Sequence, residues 1–296
     1  MHHGKYRFIL ILLVLPLALY TIFVLSPYVQ AFSIAMTDWQ GLSPTYNYTG
    51  FANFTRLFHD GDFWIGLRHN LFLLTCIPLI VCTLALFFST MLNHRGSVHG
   101  ARFYKVVYFF PSVLSIAVVA VLWQFVYEPR NGLLNGFLDA IRLDSLRHTW
   151  LGDGDTALGA IMAVVVWGGV GFYVVLFTAA MSAIPAELYE AALLDGAGKW
   201  QSFWRLTLPL IWGSVQVSLV YLVIGSLDMF GLVNILSVGP GGPDNATQVI
   251  SLYMYQNAFK FGQFGYASAI GVTLFALTLV LTLLAFRLTR RERVEY

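Results

Sequence analysis

The chain has 296 residues, of which 58% are hydrophobic and 11% charged, with a formal net charge of +2. Soluble domains carry about 25% charged residues, so this composition excludes an ordinary water-exposed globular protein and indicates an integral membrane protein. The small net charge, with no dense basic run outside the tail, excludes a nucleic-acid partner. Aromatic residues make up 16%, which is typical of chains that contact lipid and the membrane interface.

Six apolar stretches are long enough to cross a membrane as helices, because about 20 residues at 1.5 Å each span the hydrocarbon core. They are too long for barrel strands, and only helices or closed barrels satisfy their backbone polar groups in lipid. The first stretch shows no small-residue cleavage site, so we expect a retained helix and not a removed signal peptide. The predicted fold class is all-α, a polytopic membrane helical bundle in one transmembrane domain, residues 1–296. The predicted transmembrane helices are 8–34, 70–92, 104–127, 157–181, 210–236 and 266–288.

The distribution of lysine and arginine predicts the orientation of these helices. Basic residues concentrate at the N-terminus, after the second helix and in the C-terminal tail, whereas loops 35–69 and 128–156 together carry five basic and eight acidic residues. We therefore expect both termini and the 182–209 loop to be cytoplasmic. The basic residues that decide this are Lys5, Arg7, Arg95, Arg102, Lys105, Arg287, Arg290, Arg291 and Arg293.

The 182–209 loop has the pattern of a helical hairpin. Pro185 suits the first position of a helix, where its missing N–H would be unpaired anyway. Glu187 and Glu190 follow in the first turns, where negative charge complements the helix dipole. Gly196 suits the left-handed residue that ends a helix. The first arm of the hairpin is therefore predicted to stop at Gly196.

A second arm is predicted from Lys199 to Leu206, with an apolar stripe of tryptophan and phenylalanine, and Pro209 is expected to end it. Such a hairpin either lies in the membrane interface as a plain connector or docks a partner. The small side chains of Ala191 and Ala192 allow a close approach, which favours docking.

The same segment carries a longer motif: E-A-A, three residues, G, nine residues, an aliphatic residue, one residue, then L-P. It resembles the signature of the permease subunits of ABC importers, with Leu206 standing where isoleucine is usual. In that family the loop forms coupling helices that insert into a cleft of the ATPase subunit. The resemblance therefore implies a cytoplasmic coupling loop between the fourth and fifth helices. The residues it assigns to ATPase coupling are Glu190, Ala191, Ala192, Asp195, Gly196, Leu206 and Pro209.

Further segments resemble the carbohydrate-type members, of the six-span lactose and glycerol-3-phosphate permease type. These are Phe51-Ala52-Asn53-Phe54, Gly239-Pro240-Gly241-Gly242-Pro243 and Gly265-Tyr266-Ala267-Ser268-Ala269. The resemblance implies a subunit of an ATP-driven, binding-protein-dependent sugar importer in a prokaryotic plasma membrane. It implies as partners a second homologous permease, two ATP-binding cassette subunits, an extracytoplasmic sugar-binding protein and membrane lipid. ATP and Mg would bind at the ATPase partner, and no cofactor would bind this chain.

The chain lacks the motifs of an enzyme. Gly198-Lys199 is followed by Trp200 and has no upstream glycine at the spacing of a phosphate-binding loop, so the chain is not its own ATPase. No histidine pair has zinc-protease spacing, and no serine lies in a G-x-S-x-G elbow. We expect no catalytic residue and no metal.

Asp228 is the only acid well inside a predicted transmembrane helix. An ionisable group in the membrane is costly and marks either a functional site or a buried pair, so both a pathway role and simple helix pairing stay open. Sugars bind aromatic faces and amide or carboxylate groups, although most aromatics in such helices only pack. The candidates for the substrate pathway are Trp123, Gln124, Trp167, Tyr173, Tyr221, Asp228 and Asn234.

Two alternatives belong to other classes. An ion-coupled secondary transporter would use intramembrane acids, and a single Asp228 is thin support for it. A membrane-embedded enzyme would need a nucleophile with a base or a metal, and the sequence supplies neither set.

Overall fold

The computed structural model describes residues 3–92 and 101–290, and the side chains of 12–92 and 103–290. The predicted all-α fold class is confirmed, since the described residues contain helices and one isolated antiparallel bridge, between Thr37 and Tyr48. Arg95, Arg291 and Arg293, which helped to predict the orientation, lie outside the described residues, as do the side chains of Lys5, Arg7 and Arg102.

The N-terminal half begins with a long helix that includes a π-helical turn at Thr21–Leu25. The second predicted transmembrane helix starts at Gly61, well before residue 70 and soon after a short helix that ends at Phe58. The helices of this half are α1 His3–Tyr20, α2 Ser26–Ala35, α3 Ala52–Phe58, α4 Gly61–Leu92, α5 Ala101–Val113, α6 Ile116–Val126 and α7 Leu133–Ala140.

The C-terminal half alternates long helices with short ones. The π-helical turn Phe203–Thr207 joins two helices without a break, and the π-helical turn Gln256–Lys260 extends a helix that ends before Phe261. The helices of this half are α8 Gly154–Ser182, α9 Ala186–Leu194, α10 Lys199–Ser202, α11 Leu208–Leu210, α12 Trp212–Leu227, α13 Phe230–Leu236, α14 Ile250–Tyr255 and α15 Phe264–Thr289.

Four helices are long and apolar enough to cross a membrane without interruption, and two bent pairs raise the number to six if each pair is one span. The four are Leu12–Ala35, Gly61–Leu92, Gly154–Ser182 and Phe264–Thr289. This count agrees with the predicted polytopic bundle, while the bends change the shape of two predicted helices.

The first bend divides the predicted helix 104–127. Phe103–Val113 and Ile116–Val126 meet at an angle of 100°, so this predicted span is broken into two helices just after Pro111. Pro111 lies in the last turn of α5, and the Ser115 hydroxyl accepts a hydrogen bond from the Val118 N–H at 3.4 Å as the N-cap of α6. A proline followed by an N-capping serine favours the end of one helix and the start of another.

The second bend lies within the predicted helix 210–236. Lys199–Leu210 and Trp212–Leu227 meet at 70°, and α12 ends at Leu227, before a two-residue break. Asp228 in that break has φ −103° and ψ 70°, outside the helical region. The predicted fifth helix is therefore interrupted, and Asp228 lies between two helices.

The chain divides into two compact units. Of the described residues, the first contains 3–64 and 253–276, and the second contains 65–92, 101–252 and 277–290. The core of the second unit is formed by large side chains that are almost fully buried, and α5 packs along α8 within it. This packing requires a glycine, because a Cβ atom on Gly171 would overlap the carbonyl oxygen of Tyr108. The buried residues of the core of the second unit include Leu73, Ile77, Val81, Ile161, Phe177 and Leu236.

The first unit is organised around the carboxylate of Asp60, which immediately precedes α4. The Tyr253 hydroxyl donates to this carboxylate at 2.6 Å, and the Tyr266 hydroxyl donates to the same oxygen. The other oxygen accepts the Asp62 N–H at 3.0 Å, and the Arg56 guanidinium lies 3.9 Å above the Tyr266 ring. One acid therefore joins the start of α4 to α14 and α15.

Candidate functional site

The first arm of the helical hairpin is α9. Pro185 lies one position before this helix, with φ −54° and ψ 139°, and not at its first position as predicted. Gly196 follows with φ +76°. The Ala197 N–H donates to the Ala192 carbonyl at 2.9 Å, and the Gly196 N–H donates to the Leu193 carbonyl at 3.0 Å. These bonds form a Schellman motif, so Gly196 ends the helix as its sequence pattern predicted.

The second arm is helical from Lys199 to Leu210, with the π-helical turn Phe203–Thr207 in its middle. The predictions that this arm stops at Leu206 and that Pro209 ends it were wrong, because Pro209 lies within the helix and the chain bends at Ile211. A proline removes one backbone donor, and the adjacent π-helical turn lets the helix continue past it.

The turn of the hairpin presents an apolar surface. Leu193 and Leu194 are 67% and 90% exposed, and Trp200 across the turn is 74% exposed. The Trp200 and Trp204 rings meet edge to face, with centroids 5.5 Å apart. Large exposed apolar patches mark sites of interaction with a partner or with lipid. Of the other motif residues, Glu190, Ala191, Asp195 and Gly196 are exposed, and Ala192, Leu206 and Pro209 are half-buried.

The opposite side of the hairpin packs against the core of its unit. Leu188 and Tyr189 of the first arm and Phe203 and Leu208 of the second are partly buried there. The Tyr189 hydroxyl lies 3.0 Å from the Thr207 hydroxyl, and Thr207 is buried. The hairpin therefore has one face packed against the core and one exposed face.

Among the predicted pathway residues, Asp228 and Asn234 lie on either side of the start of α13. Both side chains are exposed, as is Tyr221 on α12. Asp228 is the C-cap of α12, and its N–H donates to the Ile224 carbonyl at 3.2 Å. An interrupted helix that places polar groups at a break is how many transporters build a site inside the membrane.

The structure brings some of the other pathway candidates together. The Gln124 amide donates to the Ile235 carbonyl at 2.7 Å, which ties α6 to α13 beside Asn234. Trp123 and Trp167 meet edge to face, with centroids 5.4 Å apart. Tyr173 packs instead against Phe177, within the bundle. Gln124 is therefore tied to the last turn of α13, and the tryptophan pair lies between α6 and α8.

The Gly-Pro-Gly-Gly-Pro segment forms a tight loop after α13. Gly239, Gly241 and Gly242 all have positive φ, and a Cβ on Gly242 would overlap the Thr247 side chain. The Thr247 hydroxyl lies 2.7 Å from the Ser237 hydroxyl, which closes the loop at its base. The positive φ angles and the contacts with Thr247 define the path of the loop, and glycine and proline are the residues that such turns favour.

The Asp60 cluster and the bond between Tyr189 and Thr207 were missed by sequence reasoning. Asp60 bonds to Tyr253 and Tyr266, which lie far along the chain. Tyr189 of the first arm bonds to Thr207 of the second. No local pattern specifies such pairs.

Comparison with protein families identifies the class of this fold. Residues 71–294 match the model of the binding-protein-dependent transport system inner membrane component. The chain belongs to this family, and it is therefore a membrane-spanning transport subunit and not an enzyme. The alternative of an ion-coupled secondary transporter is not favoured.

Individual relatives agree with this family. The diacetylchitobiose uptake system permease protein NgcF of Streptomyces coelicolor is 45% identical over 294 residues, which cover 97% of this chain and 83% of that protein. The lactose transport system permease protein LacF of Rhizobium radiobacter is 29% identical over a region that covers 94% of this chain and 92% of that protein. A bacterial alginate ABC transporter, solved with an alginate pentasaccharide-bound periplasmic protein, has a chain that matches with a TM-score of 0.83 and 26% identity, covering 97% of this chain and 96% of that one.

Proposed function

We propose that this chain is a permease subunit of a sugar-importing ABC transporter and that the hairpin 185–209 receives force from an ATPase partner. The observation that carries the proposal is the hairpin itself, a Schellman-ended helix with an exposed apolar turn, attached to the base of the bent fifth helix. Closure of the ATPase would displace the hairpin and change the tilt of α12.

The proposed assembly contains a second permease, two ATP-binding cassette subunits and an extracytoplasmic binding protein. The chemistry of ATP hydrolysis, with ATP and Mg, belongs to the cassette subunits, and membrane lipid surrounds the exposed apolar helices. In this arrangement both termini and the hairpin face the cytoplasm, in agreement with the positive-inside rule. Cysteine scanning with an impermeant maleimide on intact cells tests this orientation, and labelling of the hairpin from outside would contradict it.

The first prediction concerns coupling through the hairpin. Gly196→Asp is expected to abolish binding-protein-stimulated ATPase activity and uptake while the protein stays in the membrane. A side chain at φ +76° costs about 1–2 kcal/mol, and the new charge lies beside the exposed leucines. Glu190→Lys, which reverses a charge on the same arm, is expected to have the same effect on ATPase activity and uptake. The measurement is uptake and ATPase activity in proteoliposomes that contain the whole importer.

Matched controls exist in the same hairpin. Gly198→Asp places the same charge in the same turn at φ −70°, where aspartate is a favourable N-cap, and is expected to leave transport near wild type. Glu187→Lys repeats the charge reversal one turn earlier on an exposed position. If Gly196→Asp and Glu190→Lys both transport normally, the coupling role is wrong.

We further propose a neutral di- or oligosaccharide as the cargo. The diacetylchitobiose and lactose permeases among the relatives support this class. The acid at the helix break supports it too, because a carboxylate binds sugar hydroxyls and repels acidic sugars. Uptake of labelled diacetylchitobiose by cells with and without the chain tests the proposal, and transport restricted to acidic or phosphorylated sugars would refute it.

The second prediction places Asp228 in the pathway. Asp228→Ala is expected to lower sugar uptake roughly tenfold at unchanged membrane levels, because the loss of one charged hydrogen bond costs about 1.5–3 kcal/mol. Asp228→Asn, which keeps hydrogen bonding without charge, is expected to retain most of the activity. Equal uptake by wild type and the alanine variant would assign Asp228 to helix capping alone.

A further inference from the structure

The two arms of the hairpin are joined at two places, the turn and a hydrogen bond far from it. The turn runs from Asp195 to Gly198 and contains two glycines, so on its own it permits the arms to change their angle. The second joint is the contact between the Tyr189 and Thr207 hydroxyls at 3.0 Å. Two joints separated along the arms fix their angle, which a single flexible turn does not.

The Thr207 hydroxyl belongs to a short chain of hydrogen bonds. It lies 3.4 Å from the Ser202 carbonyl, to which it can donate, and 3.0 Å from the Tyr189 hydroxyl, where either oxygen can be the donor. The chain of bonds runs from the first arm, through Thr207, to Ser202 at the start of the π-helical turn.

The position of Thr207 gives the bond a mechanical consequence. Thr207 is 6% exposed, and its carbonyl accepts the Ile211 N–H at 3.0 Å, at the residue where the chain bends by 70° into α12. Tyr189 is the residue before Glu190 on the arm proposed to meet the ATPase. A displacement of α9 therefore reaches the base of the fifth helix through one hydrogen bond as well as through the turn.

We propose that Tyr189 is a positioning residue that makes the hairpin a rigid lever, with its bond to Thr207 transmitting nucleotide-driven movement to α12. This inference rests on the proposed coupling function and specifies how force leaves the hairpin. Removing the bond leaves both helices and their packing in place, because the Tyr189 ring still contacts the core. The turn then flexes, and part of the movement is lost before it reaches Ile211.

The test measures movement directly, without a transported sugar. In the assembled importer, Cys76 and Cys82 are replaced by alanine and a single cysteine is placed at Val238, which is 58% exposed beyond α13. The rate of labelling by an impermeant maleimide is measured with and without ATP and vanadate. Tyr189→Phe and Thr207→Val each remove one hydroxyl and are expected to reduce the nucleotide-dependent change in labelling rate by roughly three- to tenfold. Thr207→Ser keeps the hydroxyl and is expected to behave as wild type.

The double variant Tyr189→Phe with Thr207→Val is expected to be no worse than either single one, because both changes remove the same bond. Additive losses would overturn the inference, and so would a wild-type response from Tyr189→Phe. If Tyr189→Phe only lowers the amount of assembled importer, with an unchanged response per complex, the bond serves folding and the inference is wrong. Gly196→Asp in the same cysteine background separates the two claims. If it responds as wild type, the coupling function itself fails, whereas its loss of response together with a normal Tyr189→Phe refutes only the lever.

Discussion

Gly171→Ala is expected to prevent this chain from folding into a stable membrane protein. The Cβ atom that alanine adds would overlap the carbonyl oxygen of Tyr108, and backbone atoms do not move aside as a flexible side chain does. Helices α5 and α8 would have to separate along their contact. Such a separation would strain two further contacts, the stacking of Phe88 on Tyr108 and the hydrogen bond from the Ser89 hydroxyl to the Val174 carbonyl at 3.0 Å. The expected cost exceeds about 4 kcal/mol.

The measurement is the amount of monodisperse protein after size-exclusion chromatography of detergent-solubilised membranes, with the melting temperature of whatever remains. Gly168→Ala is the matched control, because the same change on the same helix meets no atom of the described chain within 4 Å. We expect the control to match wild type or to melt slightly higher, since alanine favours helix over glycine. Comparable yields of the two variants would mean that α5 and α8 do not pack as closely as described.

Asp60→Ala is expected to be the second most damaging substitution considered. It removes the acceptor of two tyrosine hydroxyls and the N-cap contact to the Asp62 N–H. Hydrogen bonds to a charged group contribute about 1.5–3 kcal/mol, and the hydroxyl of the buried Tyr253 would be left without this partner. We expect a loss of about 3 kcal/mol of stability, measured as a lower melting temperature in lipid nanodiscs. Asp62→Ala, an exposed acid two positions later, is the control and is expected to cost far less.

The pH dependence of this cluster has a definite sign. Burial alone would raise the pKa of Asp60, but the hydrogen bonds from Tyr253 and Tyr266 outweigh it and hold that pKa below its ordinary value of 3.8. A depressed carboxyl pKa adds stability above the ordinary value and loses it as the pH falls through the folded value. The melting-temperature difference between wild type and Asp60→Asn is therefore expected to shrink only below about pH 4.

Tyr253 sets the alkaline limit of the same cluster. Burial, followed by its bond to Asp60, raises the pKa of this phenol to about 12. Because the folded state keeps the phenol proton to a higher pH than the unfolded state does, stability is complete below the ordinary pKa of about 10. It falls as the pH rises toward the pKa of the folded state. Tyr253→Phe is expected to weaken this alkaline dependence, because the Tyr266 phenol bonded to the same carboxylate oxygen remains, and melting curves at pH 10 to 12 check it. An alkaline dependence of unchanged size in the phenylalanine variant would assign it to another group.

The hairpin shows how much of the candidate site could be predicted from local sequence patterns. Pro185, the acids that follow it and Gly196 predicted a helix that begins within one residue and stops within two residues of its observed ends. These features act through adjacent backbone groups, so their consequences are readable from spacing alone. The second arm was predicted less well, because the π-helical turn lets the helix pass Pro209.

The bends in the third and fifth helices illustrate the opposite case. Hydrophobicity is nearly continuous across 104–127 and 210–236, so mean hydropathy along the sequence predicts one transmembrane span in each. The residues at the breaks are Ser115, the N-cap of α6, and Asp228, between α12 and α13. Each is a single polar residue, and such a residue is equally compatible with a helix break and with a solvated pocket.

The sequence by itself determined the membrane class, the all-helical fold and the hairpin motif, since each depends on composition or on contacts within a few residues. The tertiary structure alone decided how far the helices turn at the two breaks, 100° and 70°, the surroundings of Asp60 and the bond between Tyr189 and Thr207. Those features depend on which helices lie side by side, and in a uniformly apolar chain helix pairing is set by close packing and a few hydrogen bonds, which leave no periodic trace in the sequence.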